Sequence, residues 1–141
     1  MPKSLALIFT AAKWLNDQHS ATLEQETLAE FISSGAYERH LRRVRRRNAA
    51  RRAALLEAIH EHLGSRVTIT GDGAGAHVVL WPKRRISEDA VIAQAASRGV
   101  GVYGISPYFL KQPARTGIML GYARMRETEI REGIRLLGEI L

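Results

Sequence analysis

Through about the first 64 residues, apolar positions return at steps of three and four, the spacing that gathers side chains on one side of an α-helix. Leu5, Phe9, Ala12 and Leu15 form one stripe, and Leu28, Phe31 and Ile32 form a second. The segment "TLEQ" at 22–25 has the spacing of a capping box, with Thr22 as the expected cap of the second helix. Gly35 punctuates that segment. From Tyr37 a longer stripe runs through Leu41, Val44, Asn48, Leu55, Ile59 and Leu63. It predicts one long amphipathic helix that Gly64 can close, since a residue without Cβ adopts the left-handed conformation that ends helices.

After residue 65 the texture changes. "RVTIT" and "AHVVLW" are short β-branched runs on either side of the glycine-rich "GDGAG", which predicts two strands and a tight connection. Ser87 is placed to cap a helix over "EDAVIAQAASR", with Val91, Ile92 and Ala95 inward and Gly99 as its stop. A short strand "VGVYGI", a loop around Pro107 and Pro113, a strand "GIMLGYA" and a last helix carrying Ile130, Ile134, Leu137 and Leu141 complete the order. The expected class is α+β: N-terminal helices, one of them long, then a small, mainly antiparallel sheet with helices on one face.

Composition narrows the setting without naming a partner. The 141 residues are 45% hydrophobic and 25% charged, values of an ordinary globular domain. No apolar run approaches the roughly 20 residues of a membrane span, and "MPKSLALIFTAAKW" has neither the apolar length nor the cleavage pattern of a signal peptide. With no cysteine there is no disulfide and no thiolate zinc site, and the expected compartment is the cytoplasm. The formal charge of +7 favours contact with polyanions in general.

That charge is concentrated. "HLRRVRRRNAARR" at 40–52 holds seven arginines and no acid. The apolar positions between them require one buried face, so the run reads first as the solvated or interface side of a helix, where arginine stems also cover apolar surface. A small basic domain that binds nucleic acid through residues 39–52 is the competing reading. No stacking platform, zinc finger or helix-turn-helix signal accompanies it.

Other candidate chemistry is sparse. His60 and His62 are two residues apart on a helix, which turns their rings away from one another, and His19, His40 and His77 are scattered. Ser20, Ser106 and Asp17 or Asp72 could be written as a triad, but nothing resembles a nucleophile elbow. "GDGAGAH" lies between strands and opens no helix, so a hairpin turn is favoured over a phosphate loop.

Three blocks carry a resemblance. "TLEQETLAEFISSGAYERHLRRVRRRNAARRAALLEAI" resembles a segment of MocR-type regulators of the GntR family, whose C-terminal part is similar to fold-type I, pyridoxal-phosphate-dependent aminotransferases. "GAHVVLW" resembles a strand of the small domain of those proteins, and "RGVGVYGISPYFL" with "GIMLGYARM" resembles its next two strands. Plain aminotransferases of the aminoadipate and kynurenine type share the "HLRR" helix, so a portion of an active aminotransferase is the second reading. The resemblance implies three segments: 1–35, a helical remnant bordering a large domain; 36–64, a connector helix; and 65–141, the small C-terminal domain. Asn48 stands where the family commonly has tyrosine.

The same resemblance implies a division of labour. The family holds pyridoxal phosphate as an imine on a lysine of the large domain, upstream of a proline and helix that "MPKSLALIF" matches. Lys3, Lys13, Lys83 and Lys111 match no such motif. The expectation is therefore no cofactor in this chain alone and pyridoxal phosphate in a full-length parent. That parent would be a homodimer with a small amine or amino-acid effector, would contact DNA only through a further N-terminal domain, and would have no membrane association. No catalytic residue, cofactor contact or metal ligand is assigned here. Related aminotransferases clamp the substrate carboxylate with a strand arginine, whose planar fork matches it. Met119 stands at that position. Arg115, four residues earlier, is the candidate replacement, with Tyr108 beside it in the loop, while Arg124 is expected to face water.

Overall fold

The computed structural model describes residues 2–17, 21–73, 75–111 and 113–141. His19 and Ser20 of the sequence candidates lie outside the described residues, as does the side chain of Asp17. Among the described residues, five α-helices and four strands follow in the order α1 (Lys3–Asp17), α2 (Thr22–Ser33), α3 (Ala36–His62), β1 (Val67–Thr70), β2 (His77–Pro82), α4 (Glu88–Ser97), β3 (Tyr103–Gly104), β4 (Ile118–Gly121) and α5 (Glu127–Gly138). Two compact units are present, Met1–Arg43 and Val44–Leu141, and their boundary falls inside α3.

The first unit holds α1, α2 and the opening turns of α3. Gly35, at φ 70°, takes the left-handed conformation between α2 and α3. The Phe31 and Tyr37 rings meet edge to face across it, with centroids 5.9 Å apart. The capping box expected at "TLEQ" is not formed. Thr22 is already the first helical residue, and Ala21 occupies the cap position with no side-chain hydrogen bond. The helix begins one residue earlier than the capping-box reading places it, and Ala21 supplies the extended backbone of the cap position.

The second unit contains all the buried hydrophobic residues among those described, from Ala54 onward. Along α3 the apolar stripe deepens. Leu41, Val44 and Asn48 are half-buried, whereas Leu55, Ile59 and Leu63 are buried with Ala54 and Ala58 beside them. Gly64, at φ 49°, ends the helix as expected. On α5 the buried residues are Ile130, Ile134 and Leu137, one face at i, i+4 and i+7. Leu141 is buried beyond the helix end. Ser87 caps α4, its hydroxyl accepting the Ala90 N–H at 3.3 Å, and Gly99 at φ 77° stops it.

The sheet is antiparallel throughout, in the order β1-β2-β4-β3. β1 and β2 are the expected hairpin, with Val67 opposite Pro82 and Thr70 opposite Val79. Since β2 and β3 both run antiparallel to β4, they are parallel to one another, and the chain crosses over through α4 before β4 enters between them. The strand expected over "VGVYGI" shrinks to Tyr103–Gly104. Val100 is held back by its N–H bond to the Ala95 carbonyl at the end of α4, so only the centre of that run reaches β4.

Alternation along the strands gives the sheet two unlike faces. Val78, Leu80, Pro82, Ile118 and Leu120 are buried in the core, while Val79, Trp81 and Met119 occupy the alternate, more open positions. Arginines tie the periphery down. Arg51 donates to the Ala123 carbonyl and Arg52 to that of Asp72 at 2.6 Å. Arg84 donates to the carbonyls of Ile140 and Leu141 at 2.9 and 3.1 Å, and Arg66 to that of Gly138 at 3.1 Å. These satisfy carbonyls at and beyond the end of α5 that have no partner within the helix. Two of the seven arginines of 40–52 are thus structural pins and not a solvated face.

Candidate functional site

The open face of the sheet is built from one side-chain row and one platform. Strand register places Thr70, Val79, Met119 and Tyr103 side by side across all four strands. Two residues along β2 from Val79, on the same face, stands Trp81. Its indole N–H donates to the Thr70 hydroxyl at 2.8 Å, which fixes the ring from the β1 side. On the β4 side Gly117 makes room, since a Cβ there would lie only 3.2 Å from Trp81 Cε3. Over the platform stands Arg115, its guanidinium carbon 5.2 Å from the ring centroid.

Arg115 is exposed, and among the described residues it makes no ion pair with an acid. A guanidinium that meets no acid keeps N–H donors that suit a carboxylate or another oxyanion. Met119 is half-buried in the central strand β4 and brings only a thioether to the face. Tyr108 lies exposed in a single 3₁₀ turn, Ser106–Tyr108, in the same loop as Arg115. Arg115 stands over Trp81, and Met119 lies opposite Val79 on the same face of the sheet, next to the Trp81 position along β2. Arg124 is exposed.

Beneath the loop lies the one buried charged side chain among the described residues, Glu88, 8% exposed at the start of α4. Its carboxylate accepts the N–H of Gly117 at 2.9 Å and that of Ser106 at 3.1 Å. Burial by itself pushes this carboxyl up, but hydrogen bonds from Gly117, from the backbone and side chain of Ser106 and from Ile105 together outweigh it and hold the pKa below the ordinary carboxylate value. Gly104 is what admits the group, because a Cβ there would overlap the carboxylate. Glu88 takes the Ser106 backbone N–H, and Asp72 lies in the exposed hairpin turn, while Ser20 and the side chain of Asp17 lie outside the described residues.

Sequence reasoning missed both Trp81 and Glu88. Trp81 alternates in phase with Val79, which is a signal for a shared face but not for a cation partner. Glu88 directly follows a capping serine, where an acid ordinarily serves the helix dipole, and that ordinary role masks its burial. On the opposite face of the sheet a groove of about 720 Å³ runs between α5 and the segment after α4, lined by Val100, Leu120, Met125, Ile134 and Leu136 among others. Leu120 lines the groove while its neighbour Met119 faces the other way, so the groove and the Trp81 platform are separate places. His60 is exposed and His62 half-buried, and no group of three potential metal ligands is assembled among the described residues. No described helix is long and apolar enough to cross a membrane.

No family model matches the chain. Individual proteins do. An uncharacterized HTH-type transcriptional regulator of Bacillus subtilis, YhdI, is 38% identical over 113 residues, which cover 80% of this chain and 24% of that protein. A probable rhizopine catabolism regulatory protein of Rhizobium meliloti, MocR, is 32% identical over 137 residues, covering 97% and 28%. The chain thus spans about a quarter of the length of these relatives. Among solved structures, the α-aminoadipate aminotransferase LysN of Thermus thermophilus superposes with a TM-score of 0.82 at 27% identity, over 99% of this chain and 35% of that one. The multiple substrate aminotransferase of Thermococcus profundus gives 0.84 at 25%, over 92% and 32%. The homologues of this chain are MocR-type HTH regulators and aminotransferases, and its α+β fold is that of a portion of the fold-type I aminotransferases.

Proposed function

We propose that the chain is the C-terminal portion of the effector-sensing domain of a MocR-type transcriptional regulator, with Arg115, Met119 and Tyr108 at the side of the effector site contributed by the small domain. The observation that carries this reading is Met119. An aminotransferase of this fold takes its substrate carboxylate on a strand arginine, and a thioether offers no donor for it. The more similar relatives are also named as HTH-type regulators, at 38% and 36% identity, against 28% for a 2-aminoadipate transaminase. In this reading a small amine or amino-acid effector meets Arg115 over Trp81, and residues 1–35, 36–64 and 65–141 are the border of the large domain, the connector and the small domain.

The residues present do not by themselves fit pyridoxal phosphate. An imine needs a lysine amine held over the aldehyde carbon. Lys83 follows the end of β2 and Lys111 lies in the exposed loop, and none of Lys3, Lys13, Lys83 and Lys111 matches the serine-lysine motif that holds the cofactor in the family. The buried carboxylate, Glu88, already takes the N–H groups of Ser106 and Gly117 at the base of the loop. The cofactor, the lysine and the DNA-binding domain belong in this reading to other portions of a longer protein, which works as a cytoplasmic homodimer. The isolated chain, mixed with pyridoxal phosphate and reduced with borohydride, should show only scattered low labelling by intact mass. A stoichiometric adduct on one lysine would refute this.

Sequencing the reading frame upstream of residue 1 tests the assignment itself. A winged-helix segment and a serine-lysine motif in frame are expected. A large domain with no winged helix would assign the chain to an active aminotransferase instead.

A further inference from the structure

We propose that Glu88 is the positioning residue of the Trp81–Arg115 pair: its carboxylate fastens both ends of the loop 105–117 and so sets where the guanidinium stands. The inference rests on the reading of the open sheet face as a ligand site and adds what holds that site in shape.

The loop leaves the sheet at Gly104 and returns at Ile118. Its base is closed by the Ile105 N–H on the Gly117 carbonyl at 3.2 Å, and the Thr116 hydroxyl donates to the Ile86 carbonyl at 3.3 Å. Two more N–H groups at this base, Ser106 and Gly117, point at the first turn of α4. There the two oxygens of one carboxylate receive them, Oε2 from Ser106 and Oε1 from Gly117. One side chain thus holds both the outgoing and the returning strand of the loop. Gly117 is buried, so losing its acceptor would strand an N–H away from water, a cost the loop can avoid only by moving.

Arg115 is two residues from Gly117, and its described contact is with the Trp81 face. Exposed, with no acid to pin it, it depends on the backbone at 116–117 for its position. The indole does not, because Thr70 holds it from the opposite side. Release of the Glu88 bonds should therefore move the cation and leave the platform. Gly104 belongs to the same device, since any side chain there would displace the carboxylate.

The chain contains two tryptophans, so the full chain with Trp14→Phe makes Trp81 the only indole reporter. Arg115→Ala defines the signal: acrylamide quenching of Trp81 rises once its cover is gone. We expect Glu88→Gln and Gly104→Ala each to reproduce most of that rise, with far-UV circular dichroism unchanged, and Glu88→Gln combined with Arg115→Ala to add nothing beyond Arg115→Ala. Gly104→Ala keeps every charge, so it stands as the test if Glu88→Gln fails to fold. The proposal is overturned if both variants lower the thermal midpoint yet keep the parent's quenching, because Glu88 would then serve the core alone, or if Arg115→Ala leaves quenching unchanged. Benzoate titrated onto Trp81 fluorescence forms a separate arm. Binding lost in Arg115→Ala supports the ligand site, and no binding to the parent removes that site while leaving the coupling of Glu88 to Arg115 decided by the quenching.

Discussion

Self-association follows from what α1 leaves exposed. Leu7 is 82% exposed, Leu15 74%, Trp14 62% and Phe9 58%. An aromatic side chain carries about 150–250 Å², so these four residues leave on the order of 400 Å² of apolar surface on each copy, spread around α1 with Phe9 turned away from Leu7 and Trp14, so that one contact reaches only part of it. Suppose half of it is covered on each of two copies. At about 25 cal/mol per Å² the gain is roughly 10 kcal/mol. Association itself costs about 4 kcal/mol at the lower bound, leaving roughly 6 kcal/mol. That corresponds to a dissociation constant of some tens of micromolar. The expected result is a monomer–dimer equilibrium crossing its midpoint in that range by light scattering. Leu7→Glu with Leu15→Glu should abolish it, since each substitution puts a carboxylate where the contact would be dry. A wild-type chain that stays monomeric at several hundred micromolar, or a double variant that associates as well as the parent, would refute the reasoning.

Three further outcomes are expected. Ile59→Ala should cost about 2–4 kcal/mol in urea unfolding, because the side chain is buried against the sheet and its loss leaves a cavity, whereas Leu23→Ala on the exposed side of α2 should fall within about 0.5 kcal/mol of the parent. The folded-state pKa of Glu88 is depressed, so its contribution is fully present above the unfolded-state value and is lost as pH falls through the folded one; urea midpoints should drop on acidification in the parent, and Glu88→Gln should flatten that part of the profile. Arg43, Arg45, Arg46 and Arg47 are exposed on α3 and pair with no acid among the described residues, so duplex DNA should bind weakly, with the logarithm of its affinity falling linearly in log salt. Nanomolar, sequence-selective binding at physiological salt would contradict this.

Elements that a short window can specify were legible in the chain. The stripe from Tyr37 to Leu63, the serine before α4, the glycine after it and the hairpin around "GDGAG" each depend on residues within one or two turns of one another, and each forms where its pattern places it. The α+β class and the relationship to MocR-type proteins rest on the same local information. What failed locally did so by small margins, as at Ala21, where extended backbone alone opened the helix. The site is of another kind. Arg115 reads as a loop cation until Trp81, 34 positions earlier in the chain, lies under it, held by Thr70 and packed close beside Gly117. Glu88 reads as an ordinary acid at a helix start until β3 brings Gly104 against it. Arg51 and Arg52 read as part of a charged face until Ala123 and Asp72 present their carbonyls. Helix and strand follow from the backbone and the nearest neighbours, whereas the chemistry of a side chain is set by what stands opposite it, and only the order β1-β2-β4-β3 decides that.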